Sequence, residues 1–177
     1  MIKKAFRYLP IISPLILVSV LLILKMIGVK YNETDSIPMG FYLSSEIPQI
    51  HKLKDKTIVV YDSIGNAAVD LAISRGYFKQ PSFCKYIAGK PGDTIEVNYG
   101  YITINGRHTK VKMKTNDFAN RPLPYPDYPL VLKADEFFIL GDHPESYDSR
   151  YYGLVKYSDL SALYTPLFTF RRSMIKW

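Results

Sequence analysis

The sequence holds very few of the side chains that form disulfides or metal sites. Cys84 is its only cysteine, and His51, His108 and His143 are its only histidines, among 177 residues. A single cysteine excludes an intrachain disulfide and any metal site built from cysteine ligands. We therefore expect neither a metal nor another cofactor in this protein.

Negative charge is absent from the first 30 residues, which carry five of the 23 lysines and arginines. The formal net charge of +7 is concentrated there, since 18 basic and 16 acidic residues remain for the rest of the chain. Nucleic-acid binding requires a clustered basic face, whereas the remaining basic residues alternate along predicted strands. This charge distribution predicts no nucleic-acid partner.

Charge of either sign is also missing from Tyr8 to Leu24, and the apolar run resumes after Lys25 through Val29. This is about the 20 residues that a bilayer-spanning helix requires. The segment predicts a single transmembrane helix within an anchor of residues 1–30, followed by one domain of residues 31–177. A cleaved secretory signal is the alternative, but no small-x-small cleavage site follows the run.

Positive side chains precede this segment at Lys3, Lys4 and Arg7. Because positive residues flanking a span stay on the cytoplasmic side, we expect the N-terminus in the cytoplasm. The prediction is a single-pass protein of the inner membrane, in contact with lipid, whose domain lies in the periplasm of a bacterium.

The rest of the chain predicts a mainly β domain with one short helix. The helix is expected from Asn66 to Arg75, with Asn66 as N-cap and Gly76 after its C-terminus. A segment with four prolines, residues 116–129, predicts an irregular surface excursion. Strands are predicted over 57–61, 82–88, 94–97, 99–104, 107–111, 135–140, 151–155 and 162–170.

Ser36 lies only seven residues beyond Val29, in the segment DSIPMGFY of residues 35–42. Pro38 restricts the backbone and Gly40 permits a turn that most residues cannot make, so the segment predicts a stiff bend that presents Ser36. A linker between anchor and domain is the simpler interpretation.

A nucleophilic serine needs a base, and the sequence offers two kinds. One is a triad in which His143 acts with Asp142 or Asp148. The other is Lys85, which lies among apolar and aromatic residues of a predicted strand, where desolvation would lower its pKa. An edge-strand lysine that points to water is the alternative for Lys85.

Three separated segments together resemble a known family. They are NETDSIPMGFY at 32–42, KYIAGKPGD at 85–93 and GDHPESYDSRYYG at 141–153. In this order after an apolar N-terminal segment, they resemble the three signature boxes of the type I signal peptidases, serine peptidase family S26. The Thr-Asp-Ser lead-in to Ser36, residues 75–78 and the closing segments 153–155 and 162–167 are similar to its conjugative-transfer branch, the TraF-type maturation peptidases.

The resemblance implies a signal-peptidase-like fold and a serine-lysine dyad. In that dyad Ser36 attacks the scissile carbonyl and Lys85 acts as general base. Ser146 would orient the Lys85 amine, although His143 in place of the family's common asparagine and a box one residue shorter leave Ser149 as an alternative.

The resemblance also implies roles for residues around the dyad. Thr34 would contribute its side chain to an oxyanion hole together with the backbone N–H of Ser36. Asp148 would pair with Arg150 and hold the third box, as Asp142 would at its start. Cys84 is expected to be a small buried neighbour of the base.

The predicted function is that of a membrane-anchored serine endopeptidase that removes leader peptides through an acyl-enzyme. Its partners would be precursors that carry signal peptides, and the favoured substrate is a conjugative pilin precursor. General secretory preproteins are the alternative substrates. From a different class, the chain could be a non-catalytic, membrane-tethered component of a secretion apparatus.

Overall fold

The computed structural model describes residues 9–171, in which β-strands are the main kind of regular secondary structure. The helices are α1 (Leu9–Met26), α2 (Ala67–Ser74) and α3 (Ser149–Tyr152). The strands are β1 (Val29–Asn32), β2 (Gly40–Ser45), β3 (Ile58–Asp62), β4 (Ser82–Gly89), β5 (Thr94–Asn98), β6 (Tyr101–Ile104), β7 (Arg107–Lys112), β8 (Leu130–Val131), β9 (Glu136–Leu140), β10 (Val155–Lys156) and β11 (Leu160–Thr169). The mainly β fold is therefore confirmed, with α2 as the predicted short helix.

The strands form two sheets in which every neighbouring pair is antiparallel. The larger sheet has the order β1-β2-β11-β3-β4-β9-β10, and the smaller one has the order β7-β6-β5-β8. The predicted hairpin is the β6–β7 pair, which turns at Asn105 and Gly106, both with positive φ. This is the conformation that an Asn-Gly hairpin turn requires.

Strand β9 is buried on both faces because it lies between two hydrophobic clusters. Phe137 and Ile139 pack in one cluster together with Val69 of α2. Phe138 and Leu140 point the other way and pack against Ile95 and Ile102 of the smaller sheet. Since successive side chains of a strand alternate between faces, this short strand joins the two sheets.

Helix α2 begins where the sequence predicts, because Asn66 caps it. The Asn66 side chain accepts hydrogen bonds from the backbone N–H groups of Ala68 and Val69 at 3.0 and 3.2 Å. Gly76 follows the helix with φ of +79°, a conformation that glycine adopts readily.

Parts of the secondary-structure prediction differ from the structure. The predicted strand over 151–155 is wrong, because Asp148 caps the single helical turn α3 and Gly153, with φ of +84°, ends it. Only Val155 and Lys156 form a strand there, β10. Strands β1 and β2 flank the Ser36 segment, where the sequence had indicated only a bend.

Helix α1 exposes most of its apolar side chains between Leu15 and Met26. Within residues 9–171, no helix has both the length and the apolar character needed to cross a bilayer. Lys3, Lys4 and Arg7, on which the predicted orientation depends, lie outside the described residues. The division of the chain into an anchor of residues 1–30 and a domain of residues 31–177 stays a prediction.

Candidate active site

Ser36 lies on the loop of residues 33–39 that joins β1 to β2, which we call the Ser36 loop. The buried amide of Asn32 holds this loop, donating hydrogen bonds to the carbonyls of Thr34, Ile37 and Pro38 at 2.7, 3.2 and 3.3 Å. The Tyr42 hydroxyl donates to the Pro38 carbonyl at 2.5 Å. Ser36 itself is half-buried.

Lys85 extends from β4 toward this loop and is only 2% exposed. Its Nζ donates hydrogen bonds to Ser36 Oγ at 2.5 Å and to Ser146 Oγ at 2.8 Å. The structure thus brings together three residues that are far apart in the sequence.

Burial sets the electrostatics at Lys85. Desolvation lowers the pKa of its amine to about 8, and the nearby Asp148 carboxylate opposes this shift in part. About a tenth of the amine is therefore neutral at pH 7, far more than for a lysine with an ordinary pKa. The neighbouring Cys84 is affected in the opposite sense, since burial raises the pKa of its thiol to about 12 and keeps it protonated.

The loop from Gly141 to Arg150 is organised around a buried ion pair. Arg150 and Asp148 are both fully buried, and the guanidinium donates from Nε and Nη2 to the two carboxylate oxygens at 2.8 and 2.9 Å. Arg150 also donates to the carbonyls of Lys112 and Ser146 at 2.8 and 2.6 Å. This network holds the backbone of Ser146, whose hydroxyl contacts Lys85.

Gly141 provides the space that Ser146 occupies. A Cβ at Gly141 would lie 1.8 Å from Ser146 Oγ, so any larger residue would displace the hydroxyl from Lys85. Ser149 does not contact the amine, because its Oγ accepts the backbone N–H of Ile139 at 2.9 Å. Of the two serines that the sequence left open, Ser146 is therefore the one next to Lys85.

In this structure the side chains of Thr34 and His143 form hydrogen bonds with groups other than Ser36 Oγ and Lys85 Nζ. The Thr34 hydroxyl donates to Asn32 Oδ1 at 3.0 Å, and its residue is exposed. His143 Nδ1 accepts the backbone N–H of Glu145 at 3.1 Å. Among the hydrogen bonds of residues 9–171, Lys85 is the side chain that contacts Ser36 Oγ.

A cleft of about 850 Å³ opens beside these residues. Ser36, Lys85 and Ser146 all contribute to its lining. Its remaining wall is rich in aromatic side chains, namely Tyr31, Tyr77, Phe78, Phe83, Phe118, Tyr147, Tyr151 and Tyr164. The part of the chain that the structure describes contains no group of three or more His, Cys, Asp or Glu residues placed to hold a metal ion.

Sequence reasoning assigned no role to three residues that shape this site: Asn32, Gly141 and Arg171. Asn32 and Gly141 lie inside the segments 32–42 and 141–153, so their place in the family resemblance could have identified them as site residues. Arg171 follows the third box by 18 residues and carries no local signal, since its contacts are made across the sheet.

Comparisons with known proteins show similarity along most of the chain. The family model for "Signal peptidase, peptidase S26" matches residues 2–167. The "Conjugal transfer protein TraF" of Agrobacterium tumefaciens is 27% identical over 150 residues, covering 81% of this chain and 84% of that protein. The "Probable signal peptidase I-2" of Synechocystis is 36% identical over 75 residues, covering 42% of this chain and 32% of that protein. A solved signal peptidase I from Enterococcus faecalis has a TM-score of 0.41 at 23% identity, covering 66% of this chain and all of the other.

Proposed function

The chain belongs to the signal peptidase family, peptidase S26, and from this premise we propose that it is a membrane-anchored serine endopeptidase that removes leader peptides from exported precursors. The observation that carries the proposal is the buried amine of Lys85, 2.5 Å from Ser36 Oγ. A buried amine beside a serine hydroxyl is suited to accept its proton, since a lysine acts as a base only when it is neutral.

The proposed reaction begins when Ser36 Oγ attacks the scissile carbonyl carbon and Lys85 Nζ accepts the hydroxyl proton. The tetrahedral intermediate then breaks the C–N bond, and Lys85 returns the proton to the leaving amine. Water, deprotonated by the same amine, then attacks the acyl-Ser36 ester. The bond between the acyl carbon and Ser36 Oγ breaks, Lys85 returns the proton to Ser36 Oγ, and the leader peptide leaves with a new carboxylate. Ser146 orients the Lys85 amine, and Asp148 with Arg150 holds Ser146 in place.

The negative charge of the intermediate needs hydrogen-bond donors. We assign this role to the backbone N–H of Ser36 and the hydroxyl of Thr34. Because the Thr34 hydroxyl donates to Asn32 in this structure, it would turn toward the oxyanion when substrate binds. Asp142 holds the start of the 141–150 loop, where its backbone N–H donates to the Ser36 carbonyl at 2.6 Å.

The N-terminal segment is proposed to hold the enzyme at the inner membrane, with its catalytic domain on the periplasmic side. The support is the uncharged run from Tyr8 to Leu24 and the exposed apolar side chains of α1. Ser36 is seven residues from Val29, and an extended chain of that length spans at most about 25 Å. The site would therefore work close to the lipid surface, where a translocated leader is presented.

The proposed substrate is a precursor used in conjugative transfer, such as a pilin. This rests on the similarity to the conjugal transfer protein, which extends over 81% of the chain. General secretory preproteins are the second candidate, favoured by the higher identity of the shorter match to a signal peptidase I.

The test is cleavage of a leader-bearing precursor by the full chain in detergent, followed by mass spectrometry of the products. We expect Ser36→Ala to abolish cleavage, and Ser45→Ala, an exposed serine of β2, to leave it unchanged. A wild-type chain that cleaves neither a pilin precursor nor a secretory precursor would favour the non-catalytic component instead. A faster cleavage of the secretory precursor would reverse the order of the two substrates.

Membrane attachment is tested separately by fractionation and by protease treatment of spheroplasts that carry a tag at Trp177. We expect the chain in the membrane fraction and the tag digested from outside. A tag that stays protected would contradict the periplasmic orientation.

A further inference from the structure

Arg171 lies just beyond the end of β11 and reaches two residues that flank the site. Its Nη1 donates to Asp142 Oδ2 at 2.6 Å, and its Nη2 donates to the main-chain carbonyl of Asp35 at 3.0 Å. Asp35 immediately precedes Ser36. One guanidinium therefore connects the 141–150 loop to the Ser36 loop.

The backbone fixes Arg171 in this position. Strand β11 pairs with β2 up to Thr169 and Gly40, and the Phe170 N–H donates to the Met39 carbonyl at 2.9 Å. This close approach depends on Gly40, since a Cβ there would lie 2.2 Å from the Phe168 carbonyl oxygen. The side chain of Arg171 therefore starts from a point anchored directly beside the Ser36 loop.

Asp142 contacts both Arg171 and the Ser36 loop. Its carboxylate is fully buried, and its backbone N–H donates to the Ser36 carbonyl at 2.6 Å. Consecutive carbonyls of the Ser36 loop, those of Asp35 and Ser36, are thus held by two residues that are paired with each other. A buried carboxylate is stable only with such compensation, so the Arg171–Asp142 pair is expected to persist.

We propose that Arg171 is a positioning residue that holds the backbone of the Ser36 loop, and with it Ser36 Oγ, in line with Lys85. This inference rests on the proposed peptidase function. Arg171 does not contact Lys85 or Ser36 Oγ, and it acts through the carbonyl of Asp35 and the carboxylate of Asp142. Because misplacing a nucleophile by about 1 Å can cost about 100-fold in rate, loss of this contact should lower kcat.

The experiment compares Arg171→Gln and Arg171→Lys with Arg107→Gln, which removes an exposed arginine from β7 in the other sheet. We expect Arg171→Gln to lower kcat about 10- to 100-fold and to change KM less than about threefold. Arg171→Lys should recover part of kcat, since an ammonium keeps the charge on Asp142 paired but lacks the fork that reaches both acceptors. Arg107→Gln should match the wild type.

Two further readouts separate positioning from a merely structural role. The acid limb of the pH–rate profile should stay where it is in the wild type, because Arg171 is not among the groups that shift the pKa of Lys85. Hydrogen–deuterium exchange of residues 33–39 should accelerate in Arg171→Gln while that of β3 and β4 stays unchanged. Asp35→Ala should have little effect, since the main-chain carbonyl is the closer acceptor.

A wild-type value of kcat in Arg171→Gln, with unchanged exchange in residues 33–39, would overturn the inference. So would a loss of activity that is fully explained by a lower fraction of folded protein. If Arg171→Gln does not fold, Arg171→Lys carries the same test, with faster exchange in 33–39 as the required result. Failure of the proposed function would look different, because the wild type itself would then not cleave a precursor, whereas the exchange experiment would still report on the loop.

Discussion

The two halves of the candidate site are built in different ways. Lys85 projects from a strand inside the larger sheet, and the residues behind it, Asp148 and Arg150, have no exposure to solvent. Ser36 lies on a loop whose neighbours Thr34 and Asp35 are exposed. Lys85 is therefore part of the core, whereas the serine lies on a partly exposed loop that a few hydrogen bonds hold.

This difference separates two kinds of mutational effect. Changes on the Lys85 side alter the charge and packing of buried groups, so they should affect the pKa of the base and the stability of the fold together. Changes on the Ser36 side should affect mainly the alignment of the hydroxyl. Substitutions on each side of the site test this distinction.

The largest effect is expected at Lys85 itself. Lys85→Arg keeps the positive charge but installs a group that does not deprotonate at usable pH. It should lower kcat/KM at least about 1000-fold, as much as Lys85→Ala, in a leader-cleavage assay. His143→Ala serves as the matched control and should retain more than about a third of the activity. Turnover by Lys85→Arg together with an inactive His143→Ala would replace the dyad with a histidine base.

The next largest effect is expected at the buried pair behind Lys85. Asp148→Asn leaves the Arg150 guanidinium buried without its counter-charge, which should cost about 3 to 5 kcal/mol in the free energy of unfolding. Denaturant unfolding of the two proteins measures this difference. Asp55→Asn is the control, because Asp55 forms an exposed pair with Lys90 at 3.0 Å whose loss should cost under about 1 kcal/mol.

Equal losses in Asp148→Asn and Asp55→Asn would contradict the view that the Lys85 side of the site is part of the buried core. In Arg150, burial opposes the charge, yet the pKa of its guanidinium is raised because the Asp148 carboxylate more than compensates. That compensation is what Asp148→Asn removes.

The two halves also differ in how far the sequence predicted them. Strand β4 was predicted because 82–88 is largely apolar and followed by turn residues. Ser36, Lys85 and Ser146 were predicted as site residues from the resemblance of the three boxes to a known family. The 151–155 strand was wrong because the Asp148 cap and Gly153 override the strand tendency of two tyrosines. The hydrogen bond from such a cap forms only in the folded loop, so the strand propensity of the tyrosines dominates a prediction from sequence.

Arg171 could not be predicted from the sequence for a different reason. Its two acceptors belong to residues 35 and 142, and the contacts exist only because β11 pairs with β2 across the sheet. An arginine that is directly followed by a second one, Arg172, has no periodicity or spacing that would distinguish it. The Ser36 side of the site depends on the long-range pairing of β11 with β2. Much of the Lys85 side, in contrast, comes from the two contiguous segments 85–93 and 141–153.

The smallest expected effect is the dependence of kcat/KM on pH, which involves both Lys85 and Ser36. In the proposed mechanism cleavage requires a neutral Lys85, and burial lowers the pKa of that amine to about 8. Activity should thus rise with pH, and kcat/KM at pH 6 should lie about 100-fold below its alkaline plateau, since only about 1% of the amine is then neutral. An acid limb near 6.5 would instead point to a histidine.

The charge of Asp148 predicts the direction in which the acid limb of this pH profile shifts. A nearby carboxylate stabilises the protonated amine, so it raises the pKa of Lys85, and Arg150 lowers it. Removing the negative charge in Asp148→Asn should therefore move the acid limb of kcat/KM to lower pH, measured at a temperature at which the variant is folded. Arg171→Gln should leave the limb in place and lower the whole profile, because it acts on the alignment of Ser36. A limb that moves to higher pH in Asp148→Asn, or that moves in Arg171→Gln, would mean that the two halves of the site are not separable in this way.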